Sequence, residues 1–289
     1  MNEIKDLPLV TVCIPVYNHE KYVEEAIKSI LNQTYKNIEL IVIDDGSKDN
    51  SLKVIQKLLE KNDFIFIHRE NKGLSATLNE GIKLSKGKYF CGCASDDIYI
   101  HYKLEKQVIF MEENPKYGMC YGKIIEFDNN NYKIKREIIN AKSGWIFEEL
   151  FMFDFVMPAV TTMIKKDIYK DVGLYDTSLF IEDYDMWLRI ANKYQIGFIN
   201  NYLAYYRKHE TNISNQIFNM YESQKIIVYK WNNIVNFGKF EKSWQLRWFS
   251  LLSRSYKSRA LRYLKFALMN PANLSSIKGF IKLLFYWKR

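Results

Sequence analysis

The sequence predicts an α/β protein with a Rossmann-like, mostly parallel central sheet, helices on both faces of that sheet and a helical extension at the C-terminus. Two observations lead to this prediction. The first hundred residues alternate short β-branched or aromatic runs with segments of helical periodicity, the pattern of a parallel sheet covered by helices. Hydrophobic residues also make up 48% of the 289 residues, enough to fill a sizeable core.

Four strands and three helices are predicted in the alternating region. The strands are residues 9–14, 39–43, 64–67 and 89–93, and the helices between them are residues 22–31, 51–59 and 74–84. Because each helix carries the chain back across the sheet, successive strands are expected to run parallel. In open sheets of this kind ligands bind beyond the carboxyl ends of the strands, and polar or turn-forming residues follow each strand here.

The later part of the chain has a less regular pattern. Residues 158–164 are predicted as a buried strand, and residues 184–194 as a helix whose entry carries acidic residues. From about residue 218 onward the segments are helical and rich in aromatic residues. We therefore predict one domain over residues 1–215 and a helical extension over residues 216–289.

The net charge of +9 is concentrated at one end of the chain. Residues 241–289 hold 11 Lys or Arg and one acid, so the preceding residues are close to neutral. Aromatic and Leu residues interleave with these cations, as binding to an anionic membrane surface requires. Two interpretations stay open: peripheral contact with such a membrane, or an extension packed on the main domain with solvated cations. Nucleic-acid binding is not expected, because no recognised motif accompanies the charge.

Missing signals argue against several protein classes. Residues 1–8 contain no apolar segment of a secretory signal, and no uncharged apolar run approaches the ~20 residues that span a bilayer. The four cysteines lack a second pair of ligands at zinc-site spacing. The motifs GxGxxG and GxxxxGKS/T are absent, which argues against a nicotinamide dehydrogenase or a P-loop NTPase. A protein of a reducing, cytoplasmic compartment is the expectation.

Three carboxylate clusters stand at predicted loops or element ends. IVIDDGSKDNS places Asp44 and Asp45 after a buried strand, where they can accept hydrogen bonds from a ribose or a base edge. CASDDIY offers hard oxygen ligands to Mg²⁺ or Mn²⁺, and IEDYDMW lies far away in the sequence. Each cluster alone also fits a turn, a helix cap or a solvated helix start.

Taken together and in this order, the clusters resemble the inverting family 2 glycosyltransferases with the GT-A fold. The matching segments are VTVCIPVYNHEKYVEEAIKSILNQTYKNIELIVIDDGSKDNS, NKGLSATLNEGI, GKYFCGCASDDIY, LYDTSLFIEDYDMWLRIA and YYRKHETNIS, spread over about residues 11–214. The resemblance implies a nucleotide-sugar-binding half, residues 1–100, and an acceptor and catalytic half, residues 101–215. In that family the first strand and the DDGS turn hold the nucleotide, usually UDP. By resemblance, the residues expected to contact the donor are Pro15, Tyr17, Asp45, Lys72, Asn79 and Asp96.

The resemblance also implies a divalent metal, Mn²⁺ or Mg²⁺. Ser95, Asp96 and Asp97 are similar to the metal motif of the family, although Ala94 stands where many members have an acid. The resemblance implies Asp97 as a metal ligand and His209, in the YRKH stretch, as a metal or diphosphate contact; a surface His is the alternative for His209. The metal is needed because the departing nucleoside diphosphate gains negative charge.

Asp183 matches the catalytic base of the family. Inversion needs one carboxylate that takes the proton of the acceptor hydroxyl, on the face of the sugar opposite the leaving group. The expected function is sugar transfer from a nucleotide-sugar to a glycan or lipid-linked acceptor in surface-polysaccharide synthesis, on the cytoplasmic face of the membrane. The alternative is a non-catalytic nucleotide-sugar-binding or scaffold protein of the same fold, for which Ala94 is the only indication.

Overall fold

The computed structural model describes residues 7–128, 130, 133–138 and 140–285. The chain forms two compact units: Met1–Phe147 with Phe155–Gln216, and Glu148–Asp154 with Ile217–Arg289. All the site residues predicted above belong to the first unit. The functional roles assigned to the two predicted domains stay predictions.

One mixed sheet organises the first unit. Among the described residues its nine strands are β1 (Val10–Val16), β2 (Ile38–Asp44), β3 (Ile65–His68), β4 (Tyr89–Gly92), β5 (Ile98–Tyr99), β6 (Tyr117–Asp128), β7 (Lys133–Arg136), β8 (Met163–Lys165) and β9 (Gln195–Lys208). Their order is β3-β2-β1-β4-β8-β6-β9-β5, with β7 paired to β6. Strands β1 to β4, β6 and β9 run in one direction, and β5, β7 and β8 run against them. The predicted α/β fold with a mostly parallel sheet is confirmed.

The described helices cover the sheet in the first unit and make up most of the second. They are α1 (Val23–Leu31), α2 (Ser51–Leu59), α3 (Leu74–Leu84), α4 (Lys103–Glu113), α5 (Phe147–Phe151), α6 (Tyr169–Val172), α7 (Glu182–Lys193), α8 (Ile217–Lys230), α9 (Phe237–Ser255), α10 (Lys257–Ala260), α11 (Leu264–Leu268) and α12 (Leu274–Phe285). The predicted helices of the first hundred residues appear as α1, α2 and α3. α1 forms where expected because its apolar residues recur at helical spacing and are buried on one side.

The core of the first unit lies around β1, which is buried along almost its whole length. Burial on both faces explains why β1 and β2 are apolar at successive positions instead of alternating. Gly81 lets α3 approach β1 closely, since a Cβ atom at this position would lie 2.5 Å from the Cys13 Sγ atom. The polar residues that follow β1, β2 and β4 are therefore attached to closely packed strands.

The predicted strand at residues 158–164 is mostly a turn. A 3₁₀ turn, Ala159–Thr161, precedes the three-residue strand β8. The Thr161 and Thr162 hydroxyl groups donate hydrogen bonds of 2.8 Å to the carbonyl oxygens of Pro158 and Ala159. Such local bonds compete with pairing in a sheet, which explains the late start of the strand.

The second unit is helical and has an aromatic core. The Tyr221 ring stacks on Trp244 at a centroid distance of 5.7 Å, and the rings of Phe240 and Phe249 are buried. The helical character predicted from residue 218 onward is confirmed for the part that the structure describes. None of the described helices has both the length and the apolar composition needed to cross a membrane.

Candidate active site

The loop after β2 is built around Asp44 and Asp45. The Asp45 carboxylate accepts 2.8 Å hydrogen bonds from the backbone N–H groups of Lys72 and Gly73 and pairs with the Arg69 guanidinium. Asp44 is fully buried, and its carboxylate lies 2.6 Å from the His68 Nδ1 atom. The aspartates thus join the carboxyl ends of β2 and β3 to the loop that begins α3.

The predicted donor contacts near β1 lie at the same edge of the sheet. Pro15 is half-buried within β1, whereas Tyr17 follows the strand and has 47% of its surface exposed. Asn18 adopts a left-handed backbone with φ of 54°, and its side-chain oxygen accepts a 2.7 Å hydrogen bond from the Lys48 N–H group. This bond ties the loop after β1 to the loop after β2. Tyr17 is left open to a ligand at that edge.

Lys72 and Asn79 have different surroundings. Lys72 is exposed and lines a cavity of about 230 Å³ together with Glu182. Asn79 is buried, and its amide exchanges two 2.8 Å hydrogen bonds with the backbone of Tyr175. Asn79 therefore holds the loop before α7 against α3, and its direct contact with a nucleotide stays a prediction.

His19, Asp96 and His209 form a cluster of metal-ligating type. One ligand atom from each residue lies within 4.8 Å of the others. The loops that carry them follow β1, β4 and β9, which run in the same direction and therefore end at the same edge of the sheet. The Asp96 Oδ2 atom lies 2.8 Å from the His209 Nε2 atom.

Both histidine rings of this cluster are held through their Nδ1 atoms. The His19 Nδ1 atom lies 2.7 Å from the Ser95 hydroxyl, and the His209 Nδ1 atom lies 2.8 Å from the Thr211 hydroxyl. Metal-binding histidines are usually oriented in this way, with one ring nitrogen bonded to the protein and the other presented to the ion. Burial lowers the pKa of His19, which favours the neutral ring that a metal requires. Two imidazoles and one carboxylate fit Mn²⁺ well and fit Mg²⁺, which prefers oxygen ligands, less well.

Asp97, the predicted metal ligand, has a different environment from Asp96. Its carboxylate is buried and accepts a 2.9 Å hydrogen bond from the backbone N–H group of Arg207. Burial and the nearby Asp96 charge raise the pKa of Asp97 well above its usual range. The Asp96 carboxylate thus lies beside His209, whereas the Asp97 carboxylate accepts the Arg207 N–H group. These consecutive residues of the turn direct their carboxylates to different partners.

Arg207 fixes the position of the loop that carries His209. Its Nε atom donates a 2.9 Å hydrogen bond to the Asp96 carbonyl oxygen, and its guanidinium also pairs with Glu25. The guanidinium lies over the Tyr22 ring at 4.8 Å, and that ring stacks on His209 at 5.1 Å. Backbone and side chains together hold the His209 ring against the Asp96 carboxylate.

Glu182 and Asp183 occupy the first turn of α7. Burial raises the pKa of Asp183 to about 6. Burial, and to a smaller extent the adjacent Asp183 charge, raises the pKa of Glu182 to about 8. The Tyr184 N–H group donates a 2.6 Å hydrogen bond to the Asp183 carboxylate, which favours its ionised form. Both carboxyl groups therefore keep their protons to higher pH than exposed carboxyl groups do.

His19 is the one member of the metal-type cluster that the sequence predictions omit. It lies two residues after Tyr17, in the polar loop that follows the first strand. A His in a loop at the carboxyl end of a strand is a possible metal ligand, and this position is visible in the sequence. Its meaning depends on Asp96 and His209, whose proximity the sequence spacing does not reveal.

Comparisons with known proteins identify the family of this chain. The family model described as Glycosyl transferase family 2 matches residues 11–178. An uncharacterized glycosyltransferase of Rickettsia typhi is 32% identical over 225 residues, which are 76% of this chain and 70% of that protein. The crystal structure of S. aureus TarS 1–349 in complex with UDP-GlcNAc superposes with a TM-score of 0.67 at 18% identity, over 96% of this chain and 79% of that one.

A second solved structure has the same fold. The mannosyltransferase PcManGT from Pyrobaculum calidifontis, in complex with GDP-Man and Mn²⁺, has a TM-score of 0.65 at 15% identity and covers 98% of this chain and 89% of its own. The GT-A fold implied by the sequence is thereby confirmed. The chain belongs to glycosyltransferase family 2 and is a nucleotide-sugar-dependent glycosyltransferase.

Proposed function

We propose that this protein is an inverting glycosyltransferase that moves a sugar from a UDP-linked donor to a hydroxyl group of a glycan or lipid-linked acceptor, on the cytoplasmic face of the membrane during surface-polysaccharide synthesis. One observation carries the proposal. A single cavity is lined both by Lys72 and Gly73, whose backbone binds Asp45, and by Glu182 of the half-buried carboxyl pair. A donor held by the loop after β2 would therefore lie next to the Glu182–Asp183 pair that begins α7.

The donor assignment rests on the strand ends and on the relatives. Tyr17 is exposed at the edge where a base would lie, and Lys72 is exposed and can present its ammonium group to the diphosphate. TarS was solved with UDP-GlcNAc and the mannosyltransferase with GDP-Man, so relatives of this fold accept different nucleotides. UDP is our choice because it is the usual nucleotide of the family that the sequence resembles.

Asp96 and His209, with His19 beside them, are the residues proposed to hold a divalent metal, Mn²⁺ in preference to Mg²⁺. When bound, the metal supplies positive charge that stabilises the departing diphosphate. The protein keeps the ligand atoms in place through Ser95, Thr211 and Arg207. Asp97 acts on this loop through the backbone of Arg207.

Asp183 is the proposed general base. Its carboxylate takes the proton of the acceptor hydroxyl while that oxygen attacks the anomeric carbon and the bond to the diphosphate breaks. The hydrogen bond from the Tyr184 N–H group stabilises the ionised Asp183 carboxylate that accepts this proton. Attack from the face opposite the leaving group inverts the configuration of the sugar.

The test of the proposal is donor binding across a panel of UDP-, GDP- and dTDP-sugars. We expect calorimetry to detect binding of one donor with Mn²⁺, and we expect a chelator to weaken that binding strongly. Release of nucleoside diphosphate from the same donor would identify the sugar that is transferred or hydrolysed. If no donor binds with or without metal, the scaffold alternative replaces the enzyme.

The rate of sugar transfer is expected to depend on pH through Asp183. A base must be ionised to accept a proton, so the rate should be half-maximal near pH 6 and fall about tenfold per unit below it. Initial rates at saturating donor between about pH 4.5 and 8 measure this limb. A midpoint near the ordinary Asp value of about 4 would show that Asp183 is solvated and would contradict the assignment.

A further inference from the structure

The last helix of the second unit exposes its large apolar residues and buries its small ones. On α12 the buried residues are Ser276 and Gly279. The exposed apolar residues are Leu274 (64% exposed), Ile277 (42%), Ile281 (49%), Leu284 (64%) and Phe285 (76%). Their spacing of three or four residues, with Phe285 directly after Leu284, places them on one side of the helix. We call these five residues the α12 stripe. A surface helix of a soluble protein normally has the opposite arrangement.

Contacts with α9 and α10 hold the stripe outward. Gly279 lies against Phe249, since a Cβ atom on Gly279 would be 2.4 Å from that ring. The Phe280 ring packs edge-on against Phe249 at 5.3 Å. The Lys282 ammonium donates a 3.1 Å hydrogen bond to the Ser250 carbonyl oxygen, and the Lys257 ammonium donates a 2.8 Å bond to the Leu283 carbonyl oxygen. Turning the stripe inward would break all of these contacts.

The sequence near the stripe is apolar and basic. Leu268 and Met269, at the end of α11, are 61% and 68% exposed. Residues 242–289 contain 11 Lys or Arg and no Asp or Glu, and Lys278 on α12 is exposed. Apolar side chains flanked by cations are the combination that binds the interface of an anionic membrane. A contiguous apolar patch is otherwise unfavourable in water.

We propose that the α12 stripe inserts into the interfacial region of a membrane that contains anionic lipids. The helix has 12 residues and is about 18 Å long, shorter than the hydrocarbon core of about 30 Å, so it lies in the interface and does not span it. That the membrane also carries the acceptor rests on the proposed function. The insertion itself rests on the exposed stripe and its charge.

The experiment is co-sedimentation of the full chain with vesicles, without donor or metal. We expect binding to phosphatidylcholine vesicles with about 30% phosphatidylglycerol and much weaker binding to phosphatidylcholine alone. The double variant Ile281→Ser with Leu284→Ser should bind the anionic vesicles with a partition coefficient at least about tenfold lower than that of the wild type. The reason is that two apolar side chains no longer leave water. Val235→Ser, which changes an 83% exposed apolar residue of the same unit outside the stripe, should bind like the wild type.

Other outcomes would overturn the proposal. Equal binding of the wild type and the double variant would show that the stripe does not enter the membrane. A wild-type dimer in sedimentation velocity that the double variant converts to a monomer would identify a second copy of the chain as the occupant. Circular dichroism of the variants checks that they fold. Donor binding is measured separately, so a failure of the proposed function is distinguished from a failure of membrane insertion.

Discussion

Asp183→Asn is expected to lower the rate of sugar transfer by a factor of about a hundred to ten thousand, the usual contribution of a general base. The Asn amide has nearly the same shape as the carboxylate but cannot accept the acceptor proton at neutral pH. Asp183 is half-buried and its pKa is raised to about 6, so replacement by a neutral group of similar shape removes a charge that partial burial disfavours. We therefore expect the variant to fold and to bind the nucleotide-sugar like the wild type.

The measurement pairs nucleoside diphosphate release with calorimetric binding of the donor. Asp167→Asn is a matched control, because Asp167 is exposed in the same unit and pairs with Lys170. Glu182→Gln provides a second comparison, since Glu182 is the neighbouring carboxyl group in the first turn of α7 and is not the proposed base. Unchanged turnover in Asp183→Asn would remove Asp183 from the base role. A larger loss in Glu182→Gln would transfer that role to Glu182.

Asp96→Ala is expected to weaken Mn²⁺ binding by more than about a hundredfold, since loss of a group that only orients a ligand already costs ten- to a hundredfold. Its carboxylate faces His209, whereas the Asp97 carboxylate accepts the Arg207 N–H group. The Asp97→Asn variant should therefore keep most of the metal affinity. Its melting temperature should be lower than that of the wild type, because the bond between the Asp97 carboxylate and the Arg207 N–H group is weakened. The electron paramagnetic resonance signal of free Mn²⁺ measures the affinity directly, without reference to activity.

The same titration compares the two histidines. His209→Ala should weaken Mn²⁺ binding strongly, and His19→Ala should weaken Mn²⁺ more than Mg²⁺, because the loss of an imidazole matters most to the ion that accepts nitrogen ligands. A surface variant such as Asp63→Ala gives the baseline. If Asp97→Ala abolishes binding while Asp96→Ala does not, the sequence-based choice of Asp97 is correct and the cluster described here is not the metal site.

Local patterns in the sequence predicted the elements of the first hundred residues. Each end of β1 to β4 and of α1 to α3 lies within two residues of its predicted position. Beyond residue 100 the prediction was weaker. The long strands β6 and β9 pair with each other, and their pairing depends on residues far apart in the chain. Periodicity within a short window does not encode such a partner.

The candidate site divides in the same way. The sequence pointed to Asp45, to the Asp96 and Asp97 pair, and to Asp183 through motifs that are local in the chain. It did not show that Asp96 is the carboxylate beside His209. Asp96 and Asp97 are chemically identical neighbours, and only the backbone of the turn decides in which direction each side chain points. Nor did it show that the Asn79 amide is bound by the Tyr175 backbone.

By itself, the sequence determined the family, the α/β class and the basic character of the last residues, because these follow from composition, periodicity and ordered motifs. Only the tertiary structure decided that His19 joins Asp96 and His209, because three strand ends from distant parts of the chain meet at one edge of the sheet. Only the structure decided which side of α12 faces outward, because packing of Gly279 against Phe249 sets the rotation of that helix. In both cases the arrangement is stabilised by packing between residues that are distant in the sequence. A short segment of sequence does not reveal such packing.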